Sequence, residues 1–264
     1  MIYDCFMFNN ELNMLEFRLK ELNDYVDYFI LIESNKTHTN NPKELYYNIN
    51  KNRYQEYSKK VIHIVMDDDI VGNLDKLCPK NVTNQWIIEN GTRIFLTQFI
   101  LINDSIKEDD IIMMSDLDEI PDVDLLLNIS KIKLPVRLGM DLFYYNFGLK
   151  LEENWYGTTI CNKSLMHSLN LQQLRLDSHN WFTVMKNAGY HLTYFFSPED
   201  LLYKLNSCGH SPEFSSDIKN IDYVNHCLDN KINLFTGEKI NSLPIAKLPK
   251  NYKFLEHFLN LNNR

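Results

Sequence analysis

The stretch Ile111-Ile112-Met113-Met114-Ser115-Asp116-Leu117-Asp118-Glu119-Ile120-Pro121 limits what this chain can fold into more than any other. Successive apolar residues from Ile111 to Met114 mark a strand buried on both faces, as in the middle of a parallel sheet. Asp116, Asp118 and Glu119 follow at once, and Pro121 cannot extend a central ladder. The strand therefore delivers its acids to its own carboxyl end, which is where open α/β sheets hold ligands. Side chains repeat every second residue along a strand, so Asp116 and Asp118 are expected on the same side. Two hard oxygen donors so placed suit a divalent cation that also grips a diphosphate. Mg2+ takes one or two carboxylates and fills its shell with water and phosphate oxygens. The competing reading of the same acids is a solvated turn, or charges at the start of a helix over Val123 to Ile129.

A buried parallel sheet needs a large core. With 264 residues, 44% of them hydrophobic and 12% aromatic, the chain can supply one as a single α/β domain over residues 1–264. Its 27 basic against 35 acidic side chains give a net charge of -8, which leaves no basic stripe to neutralise a nucleic-acid backbone. Nucleic acid is excluded as a partner, whereas a nucleotide is not, because a metal neutralises its diphosphate locally. Cys5, Cys78, Cys161, Cys208 and Cys227 are scattered, with no CxxC pair, and point to reduced thiols. Met1 leads straight into the strand-like run Ile2 to Phe8 without a basic leader, and no apolar run reaches spanning length. A cytoplasmic protein with no membrane span is expected. Asn-x-Ser/Thr triplets at Asn35, Asn81 and Asn162 are what chance gives in an asparagine-rich chain.

Taken in order, the strand ending at Phe8 is followed by Asn9 or Asn10 as a cap and by Leu12, Leu15, Leu19 and Leu22 at helical spacing. Tyr28 to Glu33 is a second buried strand, and two βα units in a row favour a parallel sheet with right-handed crossovers. Glu33 closes its strand and is expected in the same crevice as Asp116 and Asp118. Val61 to Met66 is a third strand, ending on Asp67-Asp68-Asp69, a solvated loop and a minor metal candidate. A long helix runs from Asn84 to about Asn103, with Trp86, Phe95, Phe99 and Ile102 read as one face. Arg93 lies within it, facing either solvent or, if inward, a phosphate or one of the acids. Arg137 to Phe147 reads as strand, with Tyr144, Tyr145, Trp155 and Tyr156 as core rings or sugar-stacking platforms. His191 to Phe196 is a later strand, and Ser197-Pro198-Glu199-Asp200 opens a helix with Leu201, Leu202 and Leu205 on one side. Ile218, Ile221 and Val224 mark a further helix. Beyond Lys239 the pattern weakens to short apolar groups around Pro244 and Pro249, ending in a mobile polar tail.

Several of these segments together resemble glycosyltransferase family 17. They are Asp4 to Leu12, Glu33 with Lys36-Thr37-His38-Thr39, Trp86 to Arg93, Ser115 to Pro121, Tyr144-Tyr145-Asn146, and Ser207 with His210 and Glu213. They occur in order between residues 3 and 215, which makes the match far more specific than an Asp-x-Asp triplet. The resemblance implies a GT-A type fold, a mostly parallel central sheet flanked by helices, and a nucleotide-sugar donor held by Mn2+ or Mg2+. It implies transfer with inversion, with N-acetylglucosamine from UDP-GlcNAc moved onto a glycan or glycoprotein hydroxyl, or UDP-glucose or another nucleotide sugar as donor. Residues 1–121 are then mainly donor-binding and 122–240 mainly acceptor-side. Gly189-Tyr190-His191 stands where the family tends to have Gly-Trp-His, and Ser197-Pro198 replaces two glycines, so the acceptor side departs more than the donor side.

On this reading Asp118 is a direct metal ligand, Asp116 serves metal or ribose, and Glu119 supports them. Asn9, Glu11, Glu33, Thr37, His38 and Arg93 hold the nucleotide. The general base is one of Asp200, Glu199 and His191, with Asp200 favoured; Glu199 and Asp200 equally fit as first-turn charges of their helix. A metal-dependent phosphohydrolase or nucleotidyltransferase also places carboxylates at strand ends, and a non-catalytic sugar-binding module would need no metal.

Overall fold

The computed structural model describes residues 1–261, without the side chains of residues 177–181 and 260–261. Four apolar strands, β1 (Ile2–Phe8), β2 (Tyr28–Ser34), β3 (Val61–Met66) and β4 (Ile111–Ser115), pair in parallel in the order β3-β2-β1-β4. β1, β2 and β4 are covered on both faces, while β3, at the edge of the sheet, is partly open at Val65. On one face Phe6, Phe8, Phe29 and Leu31 pack on Leu15, Leu19 and Leu22 of the Leu12–Leu22 helix. On the other, Cys5, Ile30 and Ile32 meet Ile88, Leu96 and Ile100 of the Asn84–Ile102 helix and Leu171 and Leu174 of the Leu171–Trp181 helix. Every fully buried leucine in these layers contributes about 1.5–3 kcal/mol.

The chain runs outward from β1 through β2 to β3 and then returns to the other side of β1 as β4. The strand order therefore reverses between β1 and β4, and a crevice opens at their carboxyl ends. The sheet continues beyond β4 with antiparallel β9 (Thr159–Asn162), then β6 (Val136–Leu138) and β10 (Thr183–Met185). A second, four-stranded sheet has the order β5 (Glu119–Pro121), β11 (Gly189–Thr193), β7 (Met140–Tyr144), β8 (Lys150–Trp155). The expected mostly parallel sheet flanked by helices is thus the centre of the molecule. No helix among the described residues is long and apolar enough to cross a membrane.

Four local expectations differ. The continuous strand Arg137 to Phe147 is two strands in different sheets, because the chain changes sheet at Gly139, whose N–H donates to the Met185 carbonyl at 2.7 Å. His191 to Phe196 is strand only to Thr193; Tyr194 takes a left-handed backbone (φ 59°) and turns the chain out. In the Asn84–Ile102 helix the buried ridge is Ile88, Thr92, Leu96 and Ile100, while Ile102 is 79% exposed. Trp86 and Phe95 lie nine residues and so about half a turn apart in phase, and cannot share a face. The expected polar tail contains a helix, Tyr252–Leu261, packed on the Leu12–Leu22 helix, with residues 262–264 outside the described part. Buried Glu21 accepts from the Lys250 and Asn251 backbone N–H groups (2.7 and 2.8 Å) and from Asn251 Nδ2 (2.8 Å), satisfying donors at that helix's start.

Candidate functional site

The acidic turn after β4 is built around a buried arginine. Arg18 sits on the apolar side of its helix, fully buried, and its guanidinium is bidentate to Asp4 in β1 (2.8 and 2.6 Å). Its Nη1 also donates to the backbone carbonyls of Asp116 (3.2 Å), Leu117 (3.1 Å) and Glu119 (2.7 Å), and its Nη2 to Ser115 Oγ. The turn's main chain is thus fixed from beneath, so Asp116 and Asp118 reach the same cavity through a pinned turn and not through strand alternation.

Above the turn, charges are paired. Asp116 receives Arg93 Nη2 on one oxygen (2.9 Å) and Arg175 Nη2 on the other (2.5 Å). Burial works against its ionisation, but the Arg175 and Arg93 guanidiniums outweigh that and hold the carboxyl at about 2. Asp118 has His191 Nε2 and Lys204 Nζ each at 3.5 Å; burial again opposes its charge, and Lys204 and then His191 carry it well below the carboxylate range. Lys204, also 3.6 Å from Glu11, is correspondingly held protonated: Asp118 and Glu11 outweigh its burial. Fully buried Glu119 accepts from Arg175, Trp155 Nε1, Thr158 Oγ1 and the Asp116 N–H. A Cβ on Gly157 would collide with Glu119 Oε1, so only glycine lets that loop close over the carboxylate.

Of these groups, Arg93, Asp116, Asp118, Arg175, His191 and Lys204 line one cavity of about 490 Å3, a volume in the range of small-molecule sites, and Glu119 lies behind its wall. Its wall on the large sheet is Met7, Ile32, Ser34 and Met66, at the carboxyl ends of β1, β2 and β3. The second sheet supplies Leu142 and Tyr144 from β7 and, in register with them, His191 and Thr193 from β11. Among the described residues no trio of His, Cys, Asp and Glu is grouped to enclose a metal ion. Asp118 nevertheless fits a hard cation that draws its other ligands from a diphosphate and water, because its carboxylate is ionised, on the wall, and contacted only loosely by its neighbours. Asp116 has both oxygens on arginines.

The sequence profile of glycosyltransferase family 17 matches residues 1–263. The chain belongs to glycosyltransferase family 17. Curated relatives are the human and rat proteins named beta-1,4-mannosyl-glycoprotein 4-beta-N-acetylglucosaminyltransferase. Each is 24% identical over 249 residues, covering 82% of this chain and 45% of the relative, so the chain spans about half the length of the curated relatives it matches. Among solved structures, HddC from Yersinia pseudotuberculosis is similar at a TM-score of 0.41 and 12% identity, over 72% of this chain and 92% of that one. Mouse xyloside xylosyltransferase 1 gives 0.34 and 11%, over 70% and 78%.

Of the positions that the family 17 resemblance singled out, Asn9, Glu11, His38, Arg93, Asp116, Asp118 and His191 line the cavity. Glu33, Thr37 and Asp200 do not. Ile32 and Ser34 face the cavity, so alternation turns Glu33 to the other side of β2, where it receives the Tyr47 N–H (2.9 Å) and pairs with His63 (3.1 Å) and Lys43 (3.7 Å). Thr37 shapes its own loop, bonding Thr39 Oγ1 and the Asn41 N–H. Asp200 is exposed in a reciprocal cap with Ser197 at the start of the Pro198–Ser207 helix; Glu199 beside it is exposed too. The second acidic triplet is exposed but is not the expected loop: Asp67 caps the short helix Asp68–Val71 through the Ile70 N–H, and Asp68, which pairs with Lys36, and Asp69 form its first turn. Arg18, Lys43, Arg175 and Lys204 escaped the sequence reading. For Arg18 and Asp4 the signal was present, as charges on otherwise apolar faces; for Arg175 and Lys204, on ordinary amphipathic helices, there was none.

Proposed function

We propose that this family 17 chain is a glycosyltransferase of GT-A type that moves N-acetylglucosamine from UDP-GlcNAc onto a hydroxyl of a β-mannosyl glycan or glycoprotein, with inversion and with Mn2+ or Mg2+. The observation that carries the reading is the pair Asp116 and Asp118, on one cavity wall at the sheet's switch point, among Arg93, Arg175 and Lys204. The activity in the curated relatives' printed names supports the choice of sugar and acceptor. Family membership favours sugar transfer over phosphate-ester hydrolysis or nucleotidyl transfer.

The residues divide the work as follows. The nucleoside lies against Met7, Ile32, Ser34 and Met66 at the strand ends, with Asn9, Glu11 and His38 on the same wall. The diphosphate lies where Arg93, Arg175 and Lys204 converge on the two aspartates. These cations, fixed before the reaction, offset the charge that grows on the leaving group as the glycosidic bond breaks. A divalent ion held by Asp118, with Asp116 beside it, would supply Lewis-acid stabilisation of the same charge when bound. Asp116, kept ionised by two arginines, orients those arginines and takes no proton. Glu119 and Arg18 keep the turn from moving. Of the three candidate bases only His191 lies on the cavity wall.

The test is transfer from UDP-GlcNAc to a β-1,4-mannosyl glycopeptide with Mn2+ present. Asp118→Asn is expected to lower kcat by about 10^2–10^3 or more while circular dichroism stays native, and EDTA is expected to stop the wild type until Mn2+ is returned. Wild-type rates in Asp118→Asn would refute the assignment, and transfer from UDP-glucose alone would change the donor.

A further inference from the structure

The cavity has two unlike sides. One is the charged set around Asp116. The other is an arc of rings running Trp86, His210, Phe214, Phe235, Tyr194, Tyr144, with successive centroids 4.6, 6.2, 5.1, 5.8 and 5.0 Å apart. All but Phe214 line the cavity. Phe235 is 43% exposed, the position of a large apolar ring left at the mouth and not packed in the core.

The segment that carries Phe235 is tied within its own turn and anchored at its base. Asn233 Oδ1 accepts from the Phe235 and Thr236 N–H groups (2.9 and 3.3 Å), and the Asn233 carbonyl accepts from Gly237, whose φ of 69° closes the turn. Tyr145 Oη donates to the Ile232 carbonyl (2.8 Å) and Tyr223 Oη to the Leu234 carbonyl (3.1 Å). Tyr145 and Tyr194, at the ends of β7 and β11, both have left-handed backbones (φ 66° and 59°), uncommon for bulky side chains and found where a structure holds them for a purpose. Five separate bonds and two strained tyrosines thus hold one exposed ring in place.

We propose that Phe235, backed by Tyr194 and Phe214, is the platform on which the acceptor saccharide lays the apolar face of a pyranose ring; this rests on the transferase reading above. The occupant is a neutral saccharide. Among the described residues the arc's rings make no ion pair beyond His210–Glu213 (2.9 Å), and at Phe235 and Phe214 the surface is ring faces, which suits C–H surfaces and not a phosphate. The nucleoside has its own wall at the ends of β1 to β3, and the mouth, open to solvent at Phe235, is the part that a glycan attached to a larger molecule can reach.

The experiment is saturation-transfer NMR and calorimetry with β-1,4-mannobiose in the presence of UDP and Mn2+, on wild type, Phe235→Ala and Phe235→Trp. The platform predicts saturation of the sugar's ring protons in the wild type, an affinity about tenfold lower in Phe235→Ala, near-wild-type affinity in Phe235→Trp, and one UDP affinity throughout. Equal mannobiose affinity in wild type and Phe235→Ala overturns it, as does an absence of mannobiose binding by the wild type. Loss of UDP affinity in Phe235→Ala also overturns it, by making the arc a nucleoside platform. Failure of the wild type to bind UDP-GlcNAc, measured in the same buffer, is the separate result that removes the transferase reading itself.

Discussion

At the scale of single residues, Arg18 shows how a charge placed in the core can serve a cavity that it does not itself line. It neutralises Asp4 and also caps three carbonyls of the acidic turn, so stability and activity should separate when it is removed. Arg18→Met alone leaves Asp4 buried and unpaired and is expected to cost about 3–5 kcal/mol. Adding Asp4→Leu should restore most of the melting temperature, yet kcat/KM should stay about tenfold or more below wild type because the turn has lost its anchor. Full activity in the double variant would mean that the turn holds itself. His38 gives a pH signature. Burial lowers its pKa below 6.5, with Glu89 only partly offsetting that. The folded protein therefore resists a proton that the unfolded chain accepts, and stability should fall as pH drops through 6.5. His38→Gln should flatten the melting temperature between about pH 7 and 5; an unchanged slope would place the titration elsewhere. Asp116 and Asp118 were legible because carboxylates seldom follow so apolar a strand. Glu33 was misplaced because a strand's last residue can face either side, and only its neighbours Ile32 and Ser34 show which.

At the scale of elements, what repeats was readable and what depends on distant partners was not. β1 to β4 and the Leu12–Leu22 and Asn84–Ile102 helices carry apolar runs and helical spacing that fix their type without reference to the rest of the chain, whereas the short helical turns between β2 and β4 do not. The segment Arg137 to Phe147 has one apolar pattern but belongs to two sheets, and the switch at Gly139 depends on a bond to Met185 far along the chain. The Tyr252–Leu261 helix did carry helical spacing, at Tyr252, Leu255, Phe258 and Leu259, which the reading of the tail passed over; only its anchoring depends on Glu21, which supplies acceptors for its first N–H groups from more than two hundred residues earlier. That dependence is testable. Glu21→Ala is expected to destabilise by about 1–3 kcal/mol and to loosen the C-terminal helix first. Hydrogen exchange should show faster exchange at Asn251 to Leu255 than in the β1 to β4 strands, and uniform protection would contradict it.

At the scale of the whole molecule, the cavity belongs to both sheets. The division into a donor half before residue 121 and an acceptor half after it is blurred by Arg175, His191 and Lys204, which come from the later half and meet Asp116 and Asp118 from the earlier one. A site assembled this way should tie ligand binding to the stability of the entire fold. The central claim, that the cavity over Asp116 and Asp118 is a nucleotide-sugar site, is tested most directly by calorimetric titration of UDP-GlcNAc into the protein with Mn2+, for wild type and Asp118→Asn. The account predicts saturable one-to-one binding by the wild type, with a melting temperature about 5 °C or more higher at saturation, and binding at least about tenfold weaker in Asp118→Asn. Absence of binding by the wild type, or equal affinity in the two proteins, would contradict it.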